Sequence, residues 1–516
     1  MLVLKNITIQ TLKGRTLLLD CSFSLNKNDR LAIIGEEGNG KSTLCKLIAG
    51  VEDIRRDFNV SGNVSSDHER IGYLPQSLSD EFNQRDVFHF LMDPNAFDYE
   101  VLVQFEKQLK KFNMSFSEED YQRSLSSFSG GEKIKIQLAK LLTDEPTVMI
   151  LDEPTNDLDI DTLKWLESFI VNSSVPLIYV SHDSVLLSKT ANRILHLEQT
   201  ERKQKPLWTL ESIGFEEYLA KRSFLLDRQE NLAKKQKSEY DAQMEKWRQI
   251  YQKVEHRQNT ISRQDPHGGQ LLKKKMKNVK AVKNRIDKVE RIKKPDPEEA
   301  VNIFFDTKES IPARKMIFDD QLDSLYINDR QLSSNLNLQI FGPARIGIIG
   351  PNGCGKSTYL KYVDQKMTER GISHYMMQQE YSELLDLSKS AVSFLIKDGT
   401  KEEKSEIMTY LGNLKFTEEE MMMPMESLSL GQRAKVILVY MVRSPVDCLI
   451  LDEPTRNLSP LTMPVVQSMF KKFHGAILAV SHDRHFLNHV CDQHYLFTTE
   501  GLRLIDEVDT IDASIA

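Results

Sequence analysis

Two nine-residue stretches limit the folds open to this chain of 516 residues more than any other feature: "GEEGNGKST" at 35–43 and "GPNGCGKST" at 350–358. Each follows a short apolar run, "LAII" or "IGII", and precedes a helix-forming segment, so each predicts a strand, a glycine-rich loop and a helix. Three further stretches recur in the same order. "SFSGGEK" at 127–133 corresponds to "SLSLGQR" at 427–433, "ILDEPT" stands at 150–155 and 450–455, and "VSHD" at 180–183 and 480–483, all at one offset of 300 residues. Lys41 and Lys356 are 315 apart, so the second copy is fifteen residues shorter between its loop and its "SLSLGQR". Four ordered stretches do not recur twice by chance. The chain holds two homologous α/β domains.

Each repeated stretch has a chemical reason. Gly35, Gly38 and Gly40, and Gly350, Gly353 and Gly355, let consecutive backbone N–H groups face phosphate oxygens at the start of a helix. In such a P-loop Lys41 and Lys356 put a point charge on the β/γ-phosphates. Ser42 and Ser357, followed by Thr43 and Thr358, bring hydroxyls that suit Mg²⁺. An apolar strand ending in Asp152–Glu153 or Asp452–Glu453 sets two carboxylates side by side, the first for Mg²⁺ through water, the second to polarise an attacking water. Ser129, Gly130, Gly131 and Glu132 open an amphipathic helix, a second anion site, and Ser429, Gly431 and Gln432 repeat it. ATP with Mg²⁺ is the ligand these residues fit.

Together with "GYLPQ" at 72–76, these stretches resemble an ATP-binding cassette. The resemblance implies a head-to-tail pairing in which each ATP lies between one domain's P-loop and the other's signature. It makes Gln76 and Gln378 Q-loop residues that reach Mg²⁺, and His182 and His482 switch histidines. Two departures stand out. Leu430 replaces the family's usual glycine, in the composite site that uses Lys41 and Glu153. "TNDLD" at 155–159 becomes "TRNLS" at 455–459, which loses the aspartate. The two ATP sites are therefore expected to be inequivalent.

The five cysteines are scattered, with no CxxC pair, which argues against a disulfide framework or a zinc site. No apolar run approaches the ~18 residues of a membrane span, and "MLVLKNITIQ" does not read as a signal peptide, so a cytoplasmic protein is expected.

Between the cassettes, taken as 1–203 and 299–516, lies a linker at 204–298 unlike either. The chain's formal charge is −7, yet residues 221–294 carry 22 Lys and Arg against 9 Asp and Glu. Leu219, Leu226, Ala233, Tyr240, Trp247 and Val254 recur every seven residues, with Met244 and Tyr251 at the alternate spacing. That predicts a helix of about forty residues, ~60 Å long. "SRQDPHGGQ" at 262–270 supplies breakers, and Leu272, Val279, Val282, Ile286 and Val289 mark a second helix. An antiparallel hairpin with its tip near 258–270 follows. "GGQLLKKKMKNVKAVKNR" at 268–285 holds Lys273, Lys274, Lys275, Lys277, Lys280, Lys283 and Arg285 with no acid. Like charges on neighbouring turns destabilise a helix, so a polyanionic partner such as structured RNA is expected.

Paired cassettes joined by a basic helical linker resemble the ABC-F family of ribosome-associated ATPases, over essentially the whole chain. "GGQLLKKKMKNVK" is similar to linkers of members that protect ribosomes from antibiotics. The resemblance implies an ATP-bound form in the ribosomal E site, contacting large-subunit rRNA and P-site tRNA, and release on hydrolysis. The drugs expected are those of the peptidyl-transferase centre: lincosamides, pleuromutilins, streptogramin A, phenicols or oxazolidinones. Only about fifty residues separate Gln76 from Phe128, leaving little room for the arm insertion of housekeeping members. A housekeeping factor for stalled ribosomes is the alternative, and the ATPase subunit of an exporter a remoter one. An exporter subunit leaves the basic hairpin unexplained.

Overall fold

The computed structural model describes the chain except residues 52–53, 67–68, 93–97, 157, 201–204, 261–265, 289–310, 329, 379–384, 445, 457, 507 and 509–516. It divides into two compact units, one formed by Met1–Phe215 with Pro297–Ala516, the other by Glu216–Asp296.

The duplication is visible strand by strand in the first unit. One six-stranded sheet runs in the order Ile71–Leu74, Val148–Asp152, Leu177–Val180, Arg30–Ile34, Arg193–Gln199, Lys205–Glu211. The other runs His374–Met377, Cys448–Asp452, Ala476–Val480, Arg345–Ile349, Gln493–Thr498, Gly501–Ile505, and in both only the last strand is antiparallel. Strands such as "VMILD" and "CLILD" are buried along their whole length, as a parallel strand with both faces covered must be. Among the described residues, antiparallel strands flank each cassette: three in the first (Val3–Thr11, Thr16–Ser24, Phe58–Ser65) and two in the second (Met316–Ile327, Arg330–Phe341).

The extra strand Phe58–Ser65 accounts for most of the length difference between the copies. Gly50, at φ 75°, stops the first P-loop helix at Ala49, and the chain turns away to form that strand. The second P-loop helix continues from Lys356 to Glu369 before the chain enters its sheet at His374.

The linker boundary differs from the sequence reading. Residues 205–211, assigned there to the linker, pair with Arg193–Gln199 as the edge strand of the first cassette. Their alternation of exposed and half-buried side chains is that of an edge strand.

In the second unit, helices Phe215–Thr260 and Pro266–Asp287 form an antiparallel pair. Tyr240 Oη donates to Asp287 Oδ1 at 3.1 Å, and Trp247 Nε1 donates to the Val279 carbonyl at 2.8 Å. The first helix keeps its expected seam, with Ala233 buried and Tyr240, Met244, Trp247, Tyr251 and Val254 half-buried. The second departs from expectation: Val282 is exposed and Lys283 half-buried, with its ammonium 5.4 Å from the Trp247 ring centroid. The seam runs Leu272, Met276, Val279, Lys283, Ile286, a regular alternation of four and three residues that position 282 would break. Lys283 lays its alkyl stem and charge on an aromatic face. Pro266 opens the second helix, where a missing N–H is harmless, so the expected breakers at 268–269 lie inside it. Residues 261–265, the centre of the expected tip, and Val289 lie outside the described residues.

Candidate active site

Both P-loops follow the central strand of their sheet, and glycine is demanded there by contact as well as by φ. A Cβ on Gly35 would lie 2.2 Å from the Leu197 carbonyl oxygen. Gly40 and Gly355 start their helices in the left-handed region, at φ 87° and 108°. Lys41 Nζ donates to the Gly35 and Glu36 carbonyls at 2.9 and 3.2 Å, and Lys356 Nζ to Gly350 and Pro351 at 2.8 Å each. Each lysine is thus buried at the centre of its own loop.

The carboxylate pairs arrive from Val148–Asp152 and Cys448–Asp452, each separated from the P-loop strand by one strand. Ser42 Oγ donates to Asp152 Oδ1 at 2.9 Å, and Ser357 makes the same bond to Asp452. Burial raises both aspartates above the usual carboxylate range, and these hydroxyl bonds oppose it. A hydroxyl and a carboxylate on adjoining loops are the hard oxygen ligands Mg²⁺ takes. Thr358 lines the same cavity as Ser357, and Thr43 follows Ser42 on the first P-loop helix. Glu153 and Glu453 each adopt φ 51°, rare for a non-glycine residue, with their N–H groups bonded to Val180 and Val480 at 3.0 and 2.9 Å. Sequence reasoning had no signal for that strain.

The two switch histidines stand differently. His182 Nε2 lies 2.8 Å from Glu153 Oε1, whereas His482 Nε2 is 3.8 Å from Glu453 Oε1. Burial alone would raise the Glu153 carboxyl, but the His182 imidazole outweighs it and holds Glu153 low. At Glu453 burial prevails over Lys356 and pushes the carboxyl up to about 8; burial and then Lys356 push His482 down to about 3. Glu453 Oε1 and Glu153 Oε2 are buried and without a hydrogen-bond partner. Each is an acceptor for a water or a ligand.

The cassettes meet head to tail. Gly130, Thr155, Asn156 and Leu158 of the first line a cavity of about 490 Å³ with Gly353, Gly355, Lys356, Ser357, Asp452, Glu453 and His482 of the second. Ile327 and Met463, which no motif marked, line it too, as does Asn352 of the second P-loop stretch. On the other side, Gly431, Gln432 and Lys435 meet Glu36 and Glu37 of the first P-loop around a small cavity of about 20 Å³, whose lining does not include Lys41 or Ser42. Gly431 N–H donates to Glu37 Oε2 at 2.8 Å.

Some expected residues do other work. Glu132 accepts from Ser129 N and Oγ at 2.8 Å each, and Gln432 Oε1 accepts from Ser429 N at 3.0 Å, closing capping boxes at the signature helices Gly130–Thr143 and Leu430–Val442. Gly131 is required by contact, since a Cβ would meet Thr162 Oγ1 at 2.5 Å. Leu430 is 59% exposed and needs no positive φ, so leucine there leaves the helix start unchanged. Gln76 is exposed beyond its strand and Gln378 half-buried beyond the equivalent one, and neither lines the cavity. Lys273, Lys274, Lys275, Lys277, Lys280 and Arg285 are exposed on the hairpin.

Doubly wound cassettes with a P-loop, a carboxylate pair and a facing signature define an ATP-hydrolysing domain present twice. The family described as ABC transporter matches residues 18–156 and 333–456, just over half of the chain, and the chain belongs to it. It is an ATPase with two tandem ATP-binding domains. It is 29% identical to the ATP-binding protein YdiF of Bacillus subtilis, over 92% of this chain and 76% of that protein. It is 23% identical to ABC transporter F family member 5 of Arabidopsis thaliana, over 95% and 75%. In fold it is similar to RNase-L Inhibitor, with a TM-score of 0.59 at 18% identity, over 96% of this chain and 90% of that one.

Proposed function

We propose that the chain is an ABC-F ATPase that acts on the ribosome in the cytoplasm and protects it from antibiotics of the peptidyl-transferase centre. The observation that carries this reading is the hairpin: exposed Lys273, Lys274, Lys275, Lys277 and Lys280 crowd one helix whose stability they lower. A polyanion repays that loss, and rRNA with P-site tRNA supplies one. The relationship to an F-family member of Arabidopsis supports the family. Among the described residues no helix is long and apolar enough to cross a membrane.

The site's chemistry follows from its own residues. Lys41 and Lys356 hold phosphate charge, the Ser–Asp pairs hold Mg²⁺, and Mg²⁺ when bound neutralises phosphate oxygens. Glu453, pushed up to about 8 by burial, sits near neutrality, where a general base works best. ATP bound between a P-loop and the facing signature holds the cassettes together there; its loss opens that junction and releases the hairpin from its partner.

The test is growth inhibition by lincosamide, pleuromutilin, streptogramin A, phenicol and oxazolidinone panels, with the chain expressed and with a Glu153→Gln/Glu453→Gln variant beside it. Raised resistance that the variant loses supports protection and names the drug class. No change in any panel, with the variant still arresting translation, means a housekeeping factor. Exchanging Lys273, Lys274, Lys275 and Lys277 for Gln should weaken ribosome pelleting and cut its log–log salt slope by up to ~3, at about 0.7–0.9 per phosphate contact.

A further inference from the structure

Glu36 and Glu37 occupy the positions that Pro351 and Asn352 fill in the other P-loop. Glu37 Oε2 accepts the Gly431 N–H at 2.8 Å, at the start of the thirteen-residue second signature helix. Beside it, Glu36 Oε2 accepts from Lys435 Nζ at 2.9 Å, Glu36 Oε1 accepts from Thr462 Oγ1 at 3.2 Å, and Lys415 Nζ lies 3.8 Å away. Burial would raise the Glu36 carboxyl, but Lys435 and Lys415, with the hydrogen bonds, hold it well below the usual carboxylate range. The opposite half differs in its residues. There Asn352 takes the place of Glu37, and Lys135, equivalent to Lys435, lies 5.2 Å over the Trp165 ring. That half keeps a cavity of about 490 Å³ lined by Lys356, Ser357 and Glu453 and by Gly130 of the facing signature.

A signature N–H pointing at a P-loop is an anion seat, because the helix start leaves its first N–H groups unpaired. In this half a carboxylate from the protein already sits there. We infer that Glu37 is a built-in occupant of the second signature's anion seat, a stand-in for a nucleotide phosphate. This half of the pair therefore closes without ATP, and turnover runs at Lys356, Ser357 and Glu453 in the other half. Glu36 is the positioning residue: its pairing with Lys435, Lys415 and Thr462 fixes the signature helix so that Gly431 meets Glu37. The tighter His182–Glu153 contact belongs to the closed half, and the looser His482–Glu453 contact to the open one.

The experiment measures binding of a non-hydrolysable ATP analogue with Mg²⁺ to the full chain, without ribosomes, by equilibrium dialysis. Photolabelling with an azido-ATP locates the nucleotide. One tight nucleotide per chain is expected, with label confined to the second P-loop. Glu37→Asn, which copies the other loop, should add a second bound nucleotide with affinity raised about 10- to 100-fold at the first P-loop, the range of a lost charge-assisted competitor. Glu37→Gln, of the same size without the charge, should do the same, and it decides the matter if the Asn variant melts early. Two equally tight nucleotides in the unaltered chain would overturn the inference. So would unchanged stoichiometry in a folded Glu37 variant. Neither result bears on ribosome binding, which is absent from the assay.

Discussion

Glu153 and Glu453 hold a strained backbone, the first buried and the second half-buried, yet their surroundings differ: one is clasped by a histidine, the other is met by long contacts from residues 481–482. Glu453→Gln should lower ATP turnover by about 10²–10⁴-fold, the usual loss for a general base, while nucleotide binding persists. Glu153→Gln should cost much less, since its half is the closed one; steady-state phosphate release from the two single variants checks this. P-loop glycines, lysines and the aspartate–glutamate pairs were legible in the sequence because each stands in a short contiguous stretch that recurs in the second copy. The role of Glu36 was not legible: its partner Lys435 is 399 residues distant, and only the pairing of the cassettes brings them together. The capping bonds of Glu132 and Gln432 were not separable from their expected nucleotide role in the sequence. Their motif is real, but capping a helix and binding an anion ask for similar residues at the same spacing.

The hairpin depends on register. Trp247 bonds the Val279 carbonyl and supports Lys283, so Trp247→Phe should loosen the pair by about 1 kcal/mol, seen as faster amide exchange around 279–283. The heptad pattern made the first helix legible over its whole length. It failed at Val282 because valine's apolarity was weighed above the four–three spacing that places Lys283 in the seam. In the second cassette, Glu403 gathers N–H groups of Lys397, Asp398 and Gly399 at 2.8–2.9 Å and the Arg443 guanidinium at 2.9 Å. These backbone bonds, then Arg443, lower its carboxyl to about 2. A depressed carboxyl stabilises the fold above its unfolded value of 4.5, and that contribution fades as pH falls towards 2. Glu403→Gln should therefore melt earlier at pH 7, with the gap in Tm narrowing below about pH 4.5.

The paired cassettes are joined by a buried cation as well as by nucleotide sites. Arg484 of the second cassette is fully buried and pairs with Glu167 of the first, with Asp183 at 3.7 Å. Arg484→Ala strands Glu167 with only half-exposed Lys189 at 3.0 Å and should cost about 3–5 kcal/mol. Arg484→Met with Glu167→Leu should recover most of it, since apolar replacement of a buried pair is often neutral; thermal melting of both variants tests this. The tandem architecture and its sheet order follow from the duplicated motifs, but this contact has no motif. Arg484 corresponds to Ser184 in the first copy, and nothing in either stretch names the other as its neighbour. That difference is one of several, with Leu430, Ser459 and the Glu36–Glu37 pair, that break the equivalence of the halves. Two identical subunits related by a twofold axis would have to carry every such change at both places at once. A single polypeptide escapes that constraint. Each loop faces one fixed counterpart for the life of the molecule, so one junction is free to become a hinge that stays shut while the other keeps the working door.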